Sequence, residues 1–197
     1  MAIERLQLSL FTPSPLLTDG RIVLSPLNDD YATQIATICD TEGFYAMDER
    51  LRDESPETDP CHRLRVWALS RSSLWRVDFE MPVHFVEAWF DIHEPSDVGR
   101  LAGVVGFNHP AGWSDTAVWA NRINVSYWMS PTRRGNRLAS RAVVLGTPWA
   151  LTTYGVTEAF IHATSEASDR VADRSGFGLI DPAVLSSWLY PKPSKPG

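Results

Sequence analysis

The sequence predicts a mixed α/β domain, and three observations carry that prediction. Apolar runs of strand length alternate along the chain with segments of helical period, and Pro- and Gly-containing turns separate them. Several of the runs are apolar at most positions rather than at every second one, the pattern of a sheet covered on both faces. The length of 197 residues suits one domain with a sizeable core and is short for two.

"GRIVLSPL" (20–27) reads as the first strand. "NDDYATQIATIC" (28–39) follows as a helix capped by Asn28 or Asp29, with Tyr31, Ile35 and Ile38 on one face. The acidic stretch 47–60, "MDERLRDESPETDP", carries two prolines and reads as a loop; "HRLRVWALSRS" (62–72) is a second, short helix. "VHFVEAWFDI" and "RLAGVVGFN" flank "HEPSDVG", whose Pro95 and Gly99 signal a turn, so the two are expected to pair. "INVSYWMS" (123–130) is the next strand, and a long helix opens after it. Pro148 should kink or stop that helix, because its ring clashes with the carbonyl of Val144. "TEAFIHAT" is a strand, "SDRVADRSGF" a short helix ending at Gly176, and "VLSSWLY" the last strand. The whole chain, 1–197, is expected to be one domain, with 1–15 an N-terminal extension and 191–197, "PKPSKPG", a flexible tail.

Composition narrows the function. Hydrophobic residues make up 44% of the chain with no run near bilayer length, so no membrane partner is expected. "MAIERLQLSLF" breaks its apolar residues with charges and does not read as a signal peptide. Cys39 and Cys61 form no framework and fit no metal-ligand spacing, which points to the cytoplasm and to no metal. A net charge of -6 argues against nonspecific nucleic-acid binding and leaves small molecules or proteins as partners.

The chemistry concentrates in "SPTRRGNRLAS" (130–140), where an expected strand turns into a helix amid three arginines. The first N–H groups of a helix have no internal partner and sit at the positive end of its dipole, so such a turn is a ready phosphate cradle. Standing alone, an arginine cluster is more often a solvated helix start than a site.

From "LLTDGRIVLSPL" through "VSYWMSPTRRGNRLASRAV" to "SEASDRVADRSGFG", roughly residues 16–178, the chain resembles the GNAT N-acetyltransferase superfamily, in the branch of RimJ/RimL-type ribosomal-protein acetyltransferases. The resemblance implies a mixed, mainly antiparallel sheet flanked by helices, with splayed central strands. It also implies a donor motif [QR]-x-x-G-x-[GA] holding the pyrophosphate of acetyl-CoA or another acyl-CoA. Here Arg134 fills the first position and Ala139 the last; Gly135, Asn136 and Leu138 lie between, and Arg137 stands where the family has glycine. The pantetheine arm would pair with the strand 124–130, which puts Tyr127, Trp128 and Met129 beside the donor. An N–H of Met129 or a neighbour would polarise the thioester carbonyl. The family's N-x-x-S helix start corresponds to Ser165 and Ser168, with Ser165 in place of the asparagine that touches pantetheine and Ser168 matching the serine that protonates the departing thiolate. Each serine also reads as a plain N-cap.

Where the branch often carries a glutamate, this chain has Asn124, which cannot take a proton usefully. The remaining candidates for a base are Glu87, His84 and His109. Glu87 leads, and strand alternation sets it on the face opposite His84. Trp75, Trp89, Trp128 and Trp149 are expected in the core, whereas Trp113 and Trp119 lie in a loop where they either wall a substrate or fold onto the domain. The acidic loop Asp48–Asp59 is either solvated or an attractant for a cationic amine. These readings together imply an N-acyltransferase that forms a ternary complex, with direct attack by a small-molecule or peptide amine. Two alternatives stand beside it: a transferase that takes its acyl group from phosphopantetheine on an acyl carrier protein, motivated by Arg137, and a noncatalytic module of the same fold.

Overall fold

The computed structural model describes residues 16–26, 34, 87–97, 99–108, 121–181 and 187–191. These hold one eight-stranded sheet: β1 (Leu17–Thr18), β2 (Val23–Pro26), β3 (Glu87–His93), β4 (Gly103–Asn108), β5 (Arg122–Met129), β6 (Glu158–His162), β7 (Gly178–Asp181) and β8 (Ser187–Tyr190). The spatial order is β1-β2-β3-β4-β5-β6-β8-β7. Every pairing is antiparallel except β5 with β6, a junction that a long helix bridges. That helix, α1 (Leu138–Tyr154), follows a short 3-10 turn at Pro131–Arg133, and α2 (Glu166–Arg174) follows β6.

The paired strands around the Pro95–Gly99 turn are found, with Phe90 opposite Val105 and Phe107 opposite Val125 in turn. Gln34 holds the end of that turn, accepting from the Leu101 N–H at 3.1 Å and donating to the Gly99 carbonyl at 3.2 Å. Alternate residues of β3, β4 and β5, among them Phe90, Ile92, Val105, Phe107, Ile123, Val125 and Met129, form the core beneath α1. Phe90, Phe107 and Trp149 pack edge to face. Burial of both faces, read from the unbroken apolar runs, holds for β3, where Asp91 and His93 are fully buried on the face opposite that core.

Two strands were not expected. β1 and β7 are short, and each is defined by its partner, β2 and β8, rather than by a pattern of its own. The helix α1 also does not stop at Pro148 but runs on to Tyr154. Pro148 has no N–H to offer the Val144 carbonyl, and Val144 is an exposed residue. The ends at 1–15 and 192–197, the acidic loop, the second helix, His84, His109, Trp75, Trp113 and Trp119 lie outside the described residues, as does all but Gln34 of the first helix. Among the described residues, no helix is long and apolar enough to cross a membrane and no cluster of metal-ligating side chains occurs.

Candidate functional site

The two central strands part. β5 pairs with β6 through Arg122–Glu158, Ile123–Ala159 and Asn124–Phe160, and the register ends there while β5 continues for five more residues. At about 3.3 Å per residue this leaves roughly 16 Å of strand edge without a strand partner on that side. The phase of the β4–β5 ladder says which groups line it. The Ser130 N–H donates to the Ala102 carbonyl at 2.9 Å, one step beyond the Gly103–Met129 pair. Groups alternate along an antiparallel strand, so the even-numbered backbone of β5 turns to β4 and the backbone of Val125, Tyr127 and Met129 turns to the opening. Two further bonds agree with that phase. The Asn121 carbonyl accepts from the β6 residue Glu158 at 3.2 Å, and the Met129 carbonyl accepts from Arg134 Nε at 3.2 Å.

At the end of this edge stands the arginine turn. Gly135 has φ 84°, and a Cβ built there would meet nothing within 4 Å, so the turn is open to the outside. Arg137 is the N-cap of α1 with φ 61° and ψ 15°, a left-handed conformation that a side chain disfavours. The backbone here takes a conformation that glycine adopts freely, although the residue is arginine, and the Arg137 side chain lies exposed. This accommodates the departure that motivated a carrier-protein donor. The start of α1 has no side-chain cap and no acidic residue in its first turn. Its first intrahelical acceptor, the Arg137 carbonyl, takes the Arg141 N–H at 3.1 Å, which leaves the N–H groups of Leu138, Ala139 and Ser140 without a helical partner. Leu138 and Ala139 point their side chains into the core and fix that orientation. The buried Ser140 hydroxyl in the same turn also lacks a partner among the described residues.

The three arginines divide. Arg133 is engaged by Glu94 at 2.6 Å and by Asp97 at 3.3 Å. Arg134 and Arg137 are exposed at the mouth, and Asn136 donates to the Arg133 carbonyl at 3.5 Å. This surface is cationic, uncapped and reached directly from the strand edge, so it can hold an anionic head whose tail runs along β5.

On the other side of the opening, Ser165 caps α2 and accepts the Ser168 N–H at 3.2 Å. It also donates its hydroxyl to Ser168 Oγ at 3.2 Å, so the Ser168 proton stays available to a further acceptor. The plain capping role is thus observed for Ser165. Tyr127, packed against the core, donates to the Ser168 carbonyl at 3.2 Å, and burial pushes its phenol up to about 12. Trp128 is buried on the opposite face with its Nε1 unpartnered among the described residues, and its backbone belongs to the β4 ladder.

Asn124 sits at the apex, where pairing ends. It bonds Asn108 and Ser126, a cluster the sequence reading did not assemble, although the Asn-x-Ser spacing alone sets Asn124 and Ser126 on one face. Glu87 lies in the same transverse row, because it pairs with Asn108 and Asn108 pairs with Asn124.

A family model described as an acetyltransferase (GNAT) domain matches residues 21–178. No curated protein matches the chain at a significant level. Solved structures of similar fold include Mycobacterium smegmatis RimJ in complex with CoA-disulfide, 16% identical, covering 89% of this chain and 84% of that one with a TM-score of 0.56. A Salmonella typhimurium acetyltransferase that modifies the N-terminal serine of ribosomal protein L7/L12 is 12% identical, covers 86% of this chain and 94% of that one, and has a TM-score of 0.56. The microcin C7 self-immunity acetyltransferase, in complex with acetyl-CoA and AMP, is 14% identical over 92% of this chain and 98% of that one with a TM-score of 0.55. At such identities the likeness is one of fold.

Proposed function

The chain belongs to the GNAT acetyltransferase family, and from that premise we propose that it moves an acetyl or other acyl group from an acyl-CoA to a primary amine by direct attack within a ternary complex. The observation that carries this reading is the pairing of β5 with β6 that ends at Asn124 while an uncapped helix start waits at the far end of the same edge. The pyrophosphate would rest on the N–H groups of Leu138 and Ala139 with Arg134 and Arg137 beside it. The pantetheine arm would lie along Val125–Met129 in place of a strand, bonding to Tyr127 and Met129 backbone groups. The Met129 carbonyl is now held by Arg134, which would exchange it for the arm.

The thioester then stops at the apex, because the strands close there. Nucleophilic addition transfers charge to the thioester oxygen, for which a β5 N–H is the donor at hand. Ser168 is proposed to protonate the departing thiolate, its hydroxyl primed by the bond it accepts from Ser165. Glu87 is the leading protein group for the proton that the nitrogen sheds. Glu87→Gln should lower turnover roughly a hundredfold while donor affinity holds.

The experiment that tests the function is a thermal-shift series with acetyl-CoA, longer acyl-CoAs and acyl carrier proteins, followed by transfer assays. A ligand that binds the native state raises its stability. A shift with acyl-CoA and turnover from it supports the reading. Much faster transfer from a carrier protein than from the same acyl-CoA replaces the donor, and no shift with any acyl-CoA overturns the proposal.

A further inference from the structure

Lysine is almost missing from this chain. The sequence holds sixteen arginines but only two lysines, Lys192 and Lys195, both in "PKPSKPG" (191–197), the segment that follows β8. Apart from histidine, every cationic side chain among the described residues is therefore an arginine, with Arg134, Arg137 and Arg141 around the donor turn. The two residue types behave differently beside a thioester. A guanidinium stays protonated in proteins and has no lone pair to give, whereas a lysine amine releases its proton near about pH 10.4 and is then a nucleophile. Residues 1–191 thus offer an acyl thioester no lysine, and the two lysines of the sequence are gathered at one place.

That place lies level with the apex. Leu189 of β8 pairs with Phe160 of β6, and Phe160 pairs with Asn124 of β5, so the three share one transverse row. With neighbouring strands about 4.8 Å apart, Leu189 stands roughly 10 Å from the rung where β5 and β6 part. β8 ends at Tyr190, one residue later, and Pro191 is exposed, so the chain leaves the sheet at the surface near that rung. Lys192 comes three residues after Leu189 and Lys195 six. At up to about 3.5 Å per residue the main chain alone spans about 10 Å and about 20 Å, and the lysyl stem lengthens each reach. Three prolines in residues 191–197 disfavour a helix, which would shorten it.

We propose that the protein acylates itself, within one molecule, at Lys192 and Lys195. The inference rests on the acyl-CoA reading above and adds a modification site to it. The neutral ε-amine attacks the thioester carbonyl, and the C–N bond forms as C–S breaks. The sulfur leaves with the electron pair of the broken bond and takes up a proton, the nitrogen loses one by the route proposed for any acceptor, and an N-acyl-lysine and a free CoA thiol result. Each transfer removes one positive charge. Proton population works against lysine, since about one such amine in 2,500 is neutral at pH 7. Tethering works for it, because a short connection holds the amine at an effective concentration in the millimolar range. Self-acylation is therefore slow, rises with pH, and yields to a free amine supplied in excess.

The test uses the full chain with acetyl-CoA in excess, begun with both lysines free by intact mass and read by peptide mapping. Lys192 and Lys195 should gain acetyl groups at least about tenfold faster in the folded chain than in the same chain unfolded in urea. The fraction modified per unit time should hold when the protein is diluted about tenfold, as transfer within one molecule requires. Glycinamide in excess should suppress the modification, since both amines draw on the same bound thioester. The double variant Lys192→Arg, Lys195→Arg should keep its transfer to glycinamide. Failure of acetyl-CoA to bind the wild-type chain, read by calorimetry, sinks the acyl-CoA reading itself. If the donor binds, three results overturn self-acylation alone: lysines left free, modification no faster than in urea, or a rate that falls in proportion to dilution.

Discussion

The Tyr127 hydroxyl donates to the Ser168 carbonyl at 3.2 Å and ties the open edge of β5 to the first turn of α2. This bond spans the gap that the missing β5–β6 pairs leave, and so sets the distance between the donor strand and the proposed acid. Tyr127→Phe should destabilise the fold by about 1 kcal/mol, the worth of one partly buried hydrogen bond, and slow transfer while the acceptor KM holds.

The pH dependence of stability checks the same contact. Burial pushes the Tyr127 phenol up to about 12, above the value of about 10 expected in the unfolded chain, so the folded state holds this proton more tightly. That contribution is fully present below about pH 10 and is lost as pH rises through about 12. The stability of the wild type should therefore fall more steeply over this window than that of Tyr127→Phe.

Arg134 and Arg133 are neighbours with different employment. Arg133 is committed to Glu94 and Asp97, while Arg134 stands exposed at the mouth with its Nε on the Met129 carbonyl. Calorimetry with CoA should show Arg134→Ala weakened by about tenfold, in the range of a charge-assisted bond, and Arg133→Ala nearly unchanged. Equal losses would count against the proposed register of the donor motif.

Arg137→Gly separates backbone from charge. Releasing the left-handed arginine should stabilise the fold by about 1 kcal/mol, less the entropy that glycine loses on folding. Removing a cation from the mouth should weaken CoA binding several-fold, an effect largest at low salt. A rise in Tm with unchanged affinity would assign the phosphate grip to the backbone alone.

Gly146 is where α1 meets the sheet. A Cβ there would collide with ring atoms of Phe107, which also packs edge to face with Phe90 and Trp149. Gly146→Ala should cost about 2 kcal/mol by overpacking, read by denaturant unfolding, and loosen donor binding by lifting the helix that carries the cradle.

Much of this arrangement was legible in the residues. The unbroken apolar run of β4 announced two covered faces, and "SPTRRGNRLAS" announced a strand edge leading into a helix start. The order β5–α1–β6–α2 follows from periodicity and turn residues alone. What the sequence hid is what depends on distant partners. "GLID" becomes β7 only because β8 lies beside it, and Leu17–Thr18 becomes β1 only against Val23–Leu24. The left-handed Arg137 runs against residue preference, and nothing in the sequence beyond the family's glycine at that position pointed to it. Pro148 lies inside α1, four residues after the exposed Val144, and the helix runs past it. The link between Asn124 and Asn108 crosses strands, and no spacing within β5 reveals it.

The alternation of β5 also writes itself into time. Ser126 and Trp128 give their amides to β4, whereas Tyr127 and Met129 turn theirs to the opening. Deuterium should therefore enter this strand in an odd–even rhythm, rapid at Tyr127 and Met129 and slow at the residues between them. A donor lying along the edge would mute the beat at the odd positions and leave the even ones untouched, so the empty and loaded states of the protein would be told apart by the exchange of a few backbone protons.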